Sequence, residues 1–255
     1  MLHDLSIVVI CFNEEQNLPR LFSSLPKESE LIVVDSSSTD RSVEIAKSNS
    51  AKTFERPFDN FAAQKNFAIS QASKKWTLVL DADEELSPTL LNSIKDLLSK
   101  NYSDLPAAFS VPRKLVFLDR KMRFGKTSDN PIRLFKSGKA QFIGEVHEVL
   151  NINEGEKVSN ALTGHLLHYS YKDISDYFTR FNRYTSMIAQ GHLRKGKKVS
   201  FISHLFRPWF EFVNRYFFRL GFLDGYEGYV YALFSSLYTF TKYTKYYELV
   251  RDTKK

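Results

Sequence analysis

The first hundred residues predict an α/β domain with a largely parallel sheet, and three observations carry that reading. Short continuous apolar runs recur at residues 6–11, 31–34 and 76–80, as in strands covered on both faces. Segments with apolar residues at helical spacing separate them. Each run then ends in a polar cluster: Cys11, Asn13 and Glu14 after the first, Asp35 after the second, Asp81 and Asp83 after the third. In such sheets helices cover both faces and ligands bind beyond the carboxyl ends of the strands.

The elements follow in order. After the first strand, Leu18, Leu21, Phe22 and Leu25 mark a helix with Asn17 as its cap. Beyond Asp35, Ser38 or Thr39 is expected to cap a helix carrying Val43, Ile45 and Ala46. A short strand at 53–55 precedes a helix over about 61–72. Ser87 followed by Pro88 is a helix start, an N-cap and then proline at the first helical position. Leu90, Leu91, Ile94, Leu97 and Leu98 form that helix's apolar face. After about residue 105 short strand-like segments appear at 109–112, 115–118, 132–135 and 146–151. Ile174, Tyr177, Phe178, Phe181, Tyr184 and Ile188 then predict a long amphipathic helix. From 201 to 247 aromatic residues mix with Arg207, Arg215, Arg219, Lys242 and Lys245.

A chain of 255 residues, 43% hydrophobic and 25% charged, is long enough for a sizeable core and ordinary in composition. Its aromatic share of 15%, with 22 Phe and 13 Tyr, is high. A net charge of +7 points to an anionic partner: nucleic acid, an anionic membrane or a phosphorylated substrate. The single cysteine, Cys11, excludes an internal disulfide and suits a reducing compartment. MLHDLSIVVICFNEE lacks a basic leader and reads as a first strand rather than a signal peptide. No stretch reaches the roughly 18 apolar residues of a spanning helix; the nearest is GYVYALFSSLYTFT at 228–241. Neither GxGxxG, a P-loop nor Cys/His zinc spacing is present, which argues against a Rossmann dehydrogenase, a P-loop enzyme and a zinc domain.

The stretch LVLDADEEL at 78–86 poses the sharpest question, because a buried strand runs into Asp81, Asp83, Glu84 and Glu85. Like charges at a strand end repel, and a divalent cation would offset them through carboxylate oxygens. A solvated turn before a helix is the alternative.

With the segments SIVVICFNEEQNLPRLFSSL, LIVVDSSSTDRSVEIA, FAAQKNFAISQA and WTLVLDADEEL in that order, the chain resembles family 2 glycosyltransferases of the GT-A fold. The later segments IRLFKSGKAQFIGEVHEVL, HLLHYSYKDISDYFTRFNRYT and RPWFEFVNRYFFRLGFLDGYEGYVYALFSSLYTFTKYTKYYE resemble the lipopolysaccharide-core β-1,4-glucosyltransferase group. The resemblance implies a Rossmann-like, mostly parallel sheet with helices on both faces, and an aromatic-rich helical C-terminal extension. The expected division is 1–170 for the catalytic domain, as a nucleotide-binding half (1–105) and an acceptor-side half (106–170), with 171–255 as the extension.

By that resemblance Cys11, Asn13 and Glu14 line the nucleotide pocket and Asp35 bonds the uracil or ribose. Gln64, Lys65 and Asn66 lie where a helix approaches the nucleotide, although Lys65 also reads as a solvated helix residue. Asp81, Ala82 and Asp83 match the DxD motif, with Asp83 the direct ligand of Mg²⁺ or Mn²⁺ and Asp81 nearer the ribose or a metal-bound water. Glu84 and Glu85 match less well and are expected to favour the N-terminus of the helix that follows.

Stabilising a departing nucleoside diphosphate calls for a metal ion, and an inverting transfer calls for one general base. GEVHEVL offers Glu145, His147 and Glu148. In a strand Glu148 and Val146 share one face while Glu145 and His147 share the other. Glu148 is the expected base and Asp129 the reserve, a salt-bridged surface strand being the alternative. His168 is a candidate metal or diphosphate ligand or else a buried, hydrogen-bonded histidine, and His165 a weaker one.

The implied activity moves a hexose, glucose from UDP-glucose, to a sugar hydroxyl of a lipid-linked glycan such as lipopolysaccharide core. Another acceptor, or a retained fold that only binds membranes, is the alternative. The aromatic and cationic C-terminus, with Arg207, Trp209, Arg215 and Arg219, reads as an interfacial anchor on an anionic membrane or as a packed helical hairpin. Its basic residues are spread among apolar ones, which argues against nucleic acid. A sugar-nucleotide pyrophosphorylase lacks support because its glycine-rich phosphate loop is missing. The expected place is cytoplasmic, peripheral on the inner face of the cytoplasmic membrane.

Overall fold

The computed structural model describes residues 2–144, 148–196 and 200–253. They divide into two compact units, one of Met1–Arg113 with Asp129–His168, the other of Lys114–Ser128 with Tyr169–Lys255. Residues 114–128, expected within the acceptor-side half, thus belong with the C-terminal segment.

The first unit begins β1 (Leu5–Cys11), α1 (Leu18–Ser24), β2 (Glu30–Asp35), α2 (Ser42–Ser48), β3 (Lys52–Glu55), α3 (Phe61–Ser70), β4 (Trp76–Asp81), β5 (Glu84–Leu86), α4 (Pro88–Leu98) and β6 (Ala108–Ser110). After β7 (Arg113–Phe117), β8 (Arg120–Lys121) and β9 (Ser128–Asp129), it resumes with β10 (Ile132–Lys136), β11 (Ala140–Ile143), β12 (Val149–Ile152), β13 (Val158–Ser159) and β14 (Leu166–His168). The main sheet has the order β13-β6-β10-β4-β1-β2-β3. β4, β1, β2 and β3 run parallel, and β10 joins β4 antiparallel.

Alternation along the strands explains why these apolar runs form sheet. Ile7, Val9, Val33, Leu78 and Leu80 pack with Leu18, Leu21, Leu90 and Ile94 on one face. Val8, Ile32, Val34 and Val79 pack with Ala62 and Ala68 of α3 and with Phe142 and Leu150 of the β11–β12 hairpin on the other. Successive side chains point to opposite faces, so every residue of such a strand must be apolar.

Several local expectations are corrected. The Asn17 side chain makes no cap bond; its amide donates to Glu14 and its oxygen accepts from Arg20. Neither Ser38 nor Thr39 caps α2, which starts after Arg41; Asp40 accepts from the Ser42 N–H at 2.9 Å instead. α3 is capped by Asn60, whose Oδ1 accepts from the Ala63 N–H at 2.8 Å, and it ends at Ser70. The Ser87 cap of α4 is present. β12 begins at Val149, while Glu145, Val146 and His147 lie outside the described residues.

The second unit contains the β7–β8 hairpin, α5 (Ile174–Arg194), α6 (Phe201–Val213), a π-helical turn (Asn214–Phe218), a 3₁₀ turn (Gly221–Asp224) and α7 (Gly225–Asp252). Phe117 pairs with Arg120, leaving Leu118 and Asp119 as a two-residue turn with φ of 48° and 62°, the backbone of a tight primed hairpin. Asp173 caps α5 through the Asp176 N–H at 2.7 Å. The core is aromatic: Phe117 meets Tyr231 edge-on at 5.4 Å and Tyr177 lies 4.9 Å from Phe234, distances at which ring pairs attract. Gly228 of α7 lies so close to the 3₁₀ turn that a Cβ would stand 1.9 Å from the Gly221 carbonyl oxygen. Only glycine fits there.

Candidate active site

The carboxyl ends of the parallel strands bring the acidic clusters together. Cys11 is in register with Asp35, and Ile10 with Asp81. Asp35 is buried; it accepts from the Ser38 N–H at 2.7 Å and from the Cys11 thiol at 3.3 Å. Burial, and then Asp35 beside it, push the Cys11 thiol far above its usual range. Cys11 is therefore a neutral packed thiol. Asn13, at φ 55°, accepts from the Thr39 N–H at 2.8 Å, while its own N–H donates to Ser38. The Glu14 N–H donates to the Ser42 hydroxyl at 2.8 Å. These bonds zip the loop after β1 to the loop after β2.

The DxD segment is a two-residue turn, Ala82 and Asp83, between β4 and β5. Asp81 closes β4 in an ion-pair network that sequence reasoning misses. Its carboxylate meets Arg133 Nη2 at 2.6 Å and Lys65 Nζ at 2.9 Å. Glu84 is fully buried, which corrects its expected role at a helix N-terminus. It binds Arg133 at 2.8 Å and Arg113 at 3.1 Å, and accepts from the Asp81 N–H at 3.0 Å. Burial would raise the Asp81 carboxyl, but Arg133 and Lys65 outweigh burial and hold it well below the usual carboxylate range. The offset expected of a divalent cation is thus supplied in large part by Lys65, Arg113 and Arg133. The legible signal was Arg133 itself, a charge within the apolar strand IRLF.

Lys65 is 3% exposed, which corrects its reading as a solvated helix residue. Its ammonium bridges Asp81 and Glu148, the latter at 3.1 Å, and so draws Glu148 to the DxD edge. The neighbours of Lys65 do other work. Gln64 is fully buried, its amide donating to the Ser36 hydroxyl and the Arg56 carbonyl. Asn66 clamps both the N–H and the carbonyl of Phe142 at 2.8 Å each. Both amides are engaged within the chain.

Asp129 is gripped by the Arg113 guanidinium at 2.9 and 2.7 Å. Burial would raise its carboxyl, yet Arg113 prevails and lowers it, weakening Asp129 as a base. His168 Nε2 stands 3.4 Å from Asp83 Oδ2. Burial would lower the His168 pKa, but the Asp83 carboxylate outweighs burial and raises it. His165 contributes backbone, its N–H donating to the Ser87 hydroxyl and its carbonyl accepting from the Ser87 N–H, both at 3.0 Å.

Among the described residues no three His, Cys, Asp or Glu side chains form a ready metal cage. The donor chemistry nonetheless suits a hard cation that keeps phosphate and water ligands. Four carboxylates, Asp81, Glu84, Asp129 and Glu148, face three cations, Lys65, Arg113 and Arg133, while Asp83 lies against His168. Asp83 and His168, 3.4 Å apart at the turn, would supply two ligands.

The sheet, its switch-point edge and the DxD turn define an α/β transferase of the GT-A class. The chain belongs to glycosyl transferase family 2, whose family model matches residues 6–147. It is 30% identical to the lipopolysaccharide core biosynthesis glycosyltransferase LpsC of Rhizobium meliloti, over 96% of this chain and 92% of that one. An uncharacterized glycosyltransferase of Rickettsia typhi is also 30% identical, over 96% of this chain and 87% of its own. The mannosyltransferase PcManGT of Pyrobaculum calidifontis, solved with GDP-Man and Mn²⁺, shares the fold at a TM-score of 0.54 and 14% identity. That likeness covers 95% of this chain and 86% of that one.

Proposed function

We propose that this family 2 transferase is a metal-dependent, inverting hexosyltransferase that moves glucose from UDP-glucose to a sugar hydroxyl of a lipid-linked glycan at a membrane surface. The observation that carries the reading is the convergence of Asp35, Asp81, Asp83 and the Lys65–Glu148 pair at one strand edge. Asp35, fixed by Ser38, faces the nucleoside, and Asp83 with His168 would hold Mg²⁺ or Mn²⁺. A divalent cation, when bound, supplies positive charge to the diphosphate.

Glu148 is the base. Lys65 fixes its carboxylate in one orientation, whereas Asp129 is held in the Arg113 fork. The acceptor oxygen forms its bond to the anomeric carbon as the bond from that carbon to the diphosphate oxygen breaks. The hydroxyl proton passes to Glu148, and the leaving diphosphate keeps the electron pair of the broken bond. Only one carboxylate is needed when no covalent intermediate forms.

The second unit supports the membrane part of the reading. No described helix is long and apolar enough to cross a membrane. On α6, however, Phe201, Ile202, Leu205, Phe206, Trp209 and Phe210 are all exposed, at the i, i+1, i+4, i+5 spacing of a single face. His204 and Pro208 turn inward. An apolar face turned outward is the signature of an interfacial helix. Two of the cations expected to meet lipid also bond within the unit. Arg207 donates to the Tyr243 hydroxyl, and Arg215 binds Glu211 at 2.7 Å and the Gly125 carbonyl at 2.9 Å.

Titration calorimetry with UDP, with and without Mn²⁺, tests the donor site. Metal-dependent binding that Asp83→Asn abolishes is expected. UDP affinity indifferent to both metal and Asp83→Asn would overturn the reading.

A further inference from the structure

The second unit contains a cleft of about 340 Å³, at the lower end of small-ligand sites, lined by Arg120, Lys121, Arg123, Phe124, Leu223 and Asp224. Its wall is rigidly held. The buried Asp224 carboxylate accepts from the backbone N–H groups of Arg123 at 3.0 Å and Phe124 at 2.8 Å. The Gly125 N–H donates to the Arg219 carbonyl at 2.9 Å, and Arg215 holds the carbonyls of Gly125 and Lys126. Leu118, Asp119, Lys126 and Leu220 all have positive φ in this region. Non-glycine residues hold that conformation only where surrounding contacts enforce it.

The charges inside are unevenly matched. Arg120 lies 3.9 Å from Asp224 and 3.7 Å from Glu227. Lys121 and Arg123 are exposed, and neither side chain has a hydrogen-bond or ion-pair partner among the described residues. Two cations without a partner among the described residues, beside an aspartate already held by Arg120 and two backbone N–H groups, make a seat for an anion. The chain around it is apolar and outward: Leu223 lines the cleft, and Phe218, Leu220, Phe222 and Tyr226 are exposed along the same turn. Cations with exposed aromatic and aliphatic groups suit an anionic headgroup joined to acyl chains.

We infer that this cleft binds the phosphomonoester group of a membrane amphiphile. The inference rests on the membrane reading above for the source of the phosphate, and not on the donor site. Phosphate oxygens accept from Lys121 and the Arg123 guanidinium, which recognises phosphate with two parallel N–H bonds. Leu223 and its exposed neighbours meet the lipid that carries the group.

Co-sedimentation of the full chain with zwitterionic vesicles, with and without a phosphomonoester lipid such as phosphatidic acid, tests it. Binding should rise roughly tenfold or more with the phosphomonoester, since each of the two basic residues at an anionic surface counts for about a fivefold factor. Lys121→Glu with Arg123→Glu should abolish that increment and leave binding to zwitterionic vesicles unchanged. Phe206→Ser with Trp209→Ser should weaken binding to both vesicles. Vesicles of a phosphodiester lipid at equal surface charge separate a cleft from diffuse attraction. Equal binding to them, or an increment that survives the double charge reversal, overturns the inference. If the intact chain binds no vesicle the membrane reading fails, and titration with inorganic phosphate then judges the cleft alone. Saturable binding lost in the double variant upholds it as a phosphate site; no binding overturns it.

Discussion

The two units use their awkward residues in opposite ways. The first buries charge: Arg133, Glu84 and Lys65 lie inside, each matched by ions of opposite sign. The second exposes apolar surface: α6 turns Phe206, 63% exposed, and Trp209, 65% exposed, outward while Phe117, at 2%, fills an aromatic core. A buried ion network seldom adds stability over a hydrophobic replacement, but it holds side chains in fixed geometry, which a reacting site requires. Largely exposed aromatics add little to the fold of their unit, so their use lies in what they meet. The placement of strange residues separates a site for chemistry from a surface for docking.

Substitutions can break or sharpen this contrast. The largest effect is expected within the second unit's own core, where Phe117→Ala should destabilise by about 3–5 kcal/mol in urea denaturation. Arg133→Met should lose a similar amount, about 3–5 kcal/mol, because Glu84 remains buried with less counter-charge. A stability loss under about 1 kcal/mol would mean that Arg113 alone neutralises Glu84. Next, Glu148→Gln should slow transfer roughly 100-fold while UDP affinity holds. Normal turnover there, with Asp129→Asn inactive, moves the base to Asp129. Phe206→Ser, by contrast with Phe117→Ala, should shift stability by no more than about 0.5 kcal/mol yet weaken vesicle binding. A large loss of stability would show that α6 folds against something it needs.

The smallest effect concerns acid. Glu30 accepts from the Lys52 ammonium at 2.6 Å and from Ser73 at 2.8 and 2.9 Å. Burial opposes ionisation, but these bonds prevail and lower its pKa from 4.5 to about 2. A carboxyl depressed on folding stabilises fully above its unfolded value and loses that contribution as pH falls toward the folded value. Melting temperature should therefore fall between about pH 4.5 and 2 more steeply in the native chain than in Glu30→Gln.

The sequence by itself determined the parallel sheet and the edge where its site lies. Strands buried on both faces must be apolar at every position, so residues 6–11, 31–34 and 76–80 announced themselves, and their polar ends marked where ligands bind. Ser87–Pro88 was legible for the same reason, being local. Only the tertiary structure decided which charges meet. Arg113 and Arg133, from strands distant in sequence, and Glu148, just before β12, reach the Lys65–Asp81–Glu84 cluster, across pairings that no local pattern encodes. Nor could periodicity say which way α6 faces: an amphipathic pattern fixes that one side is apolar, and only packing decides whether that side turns inward or out.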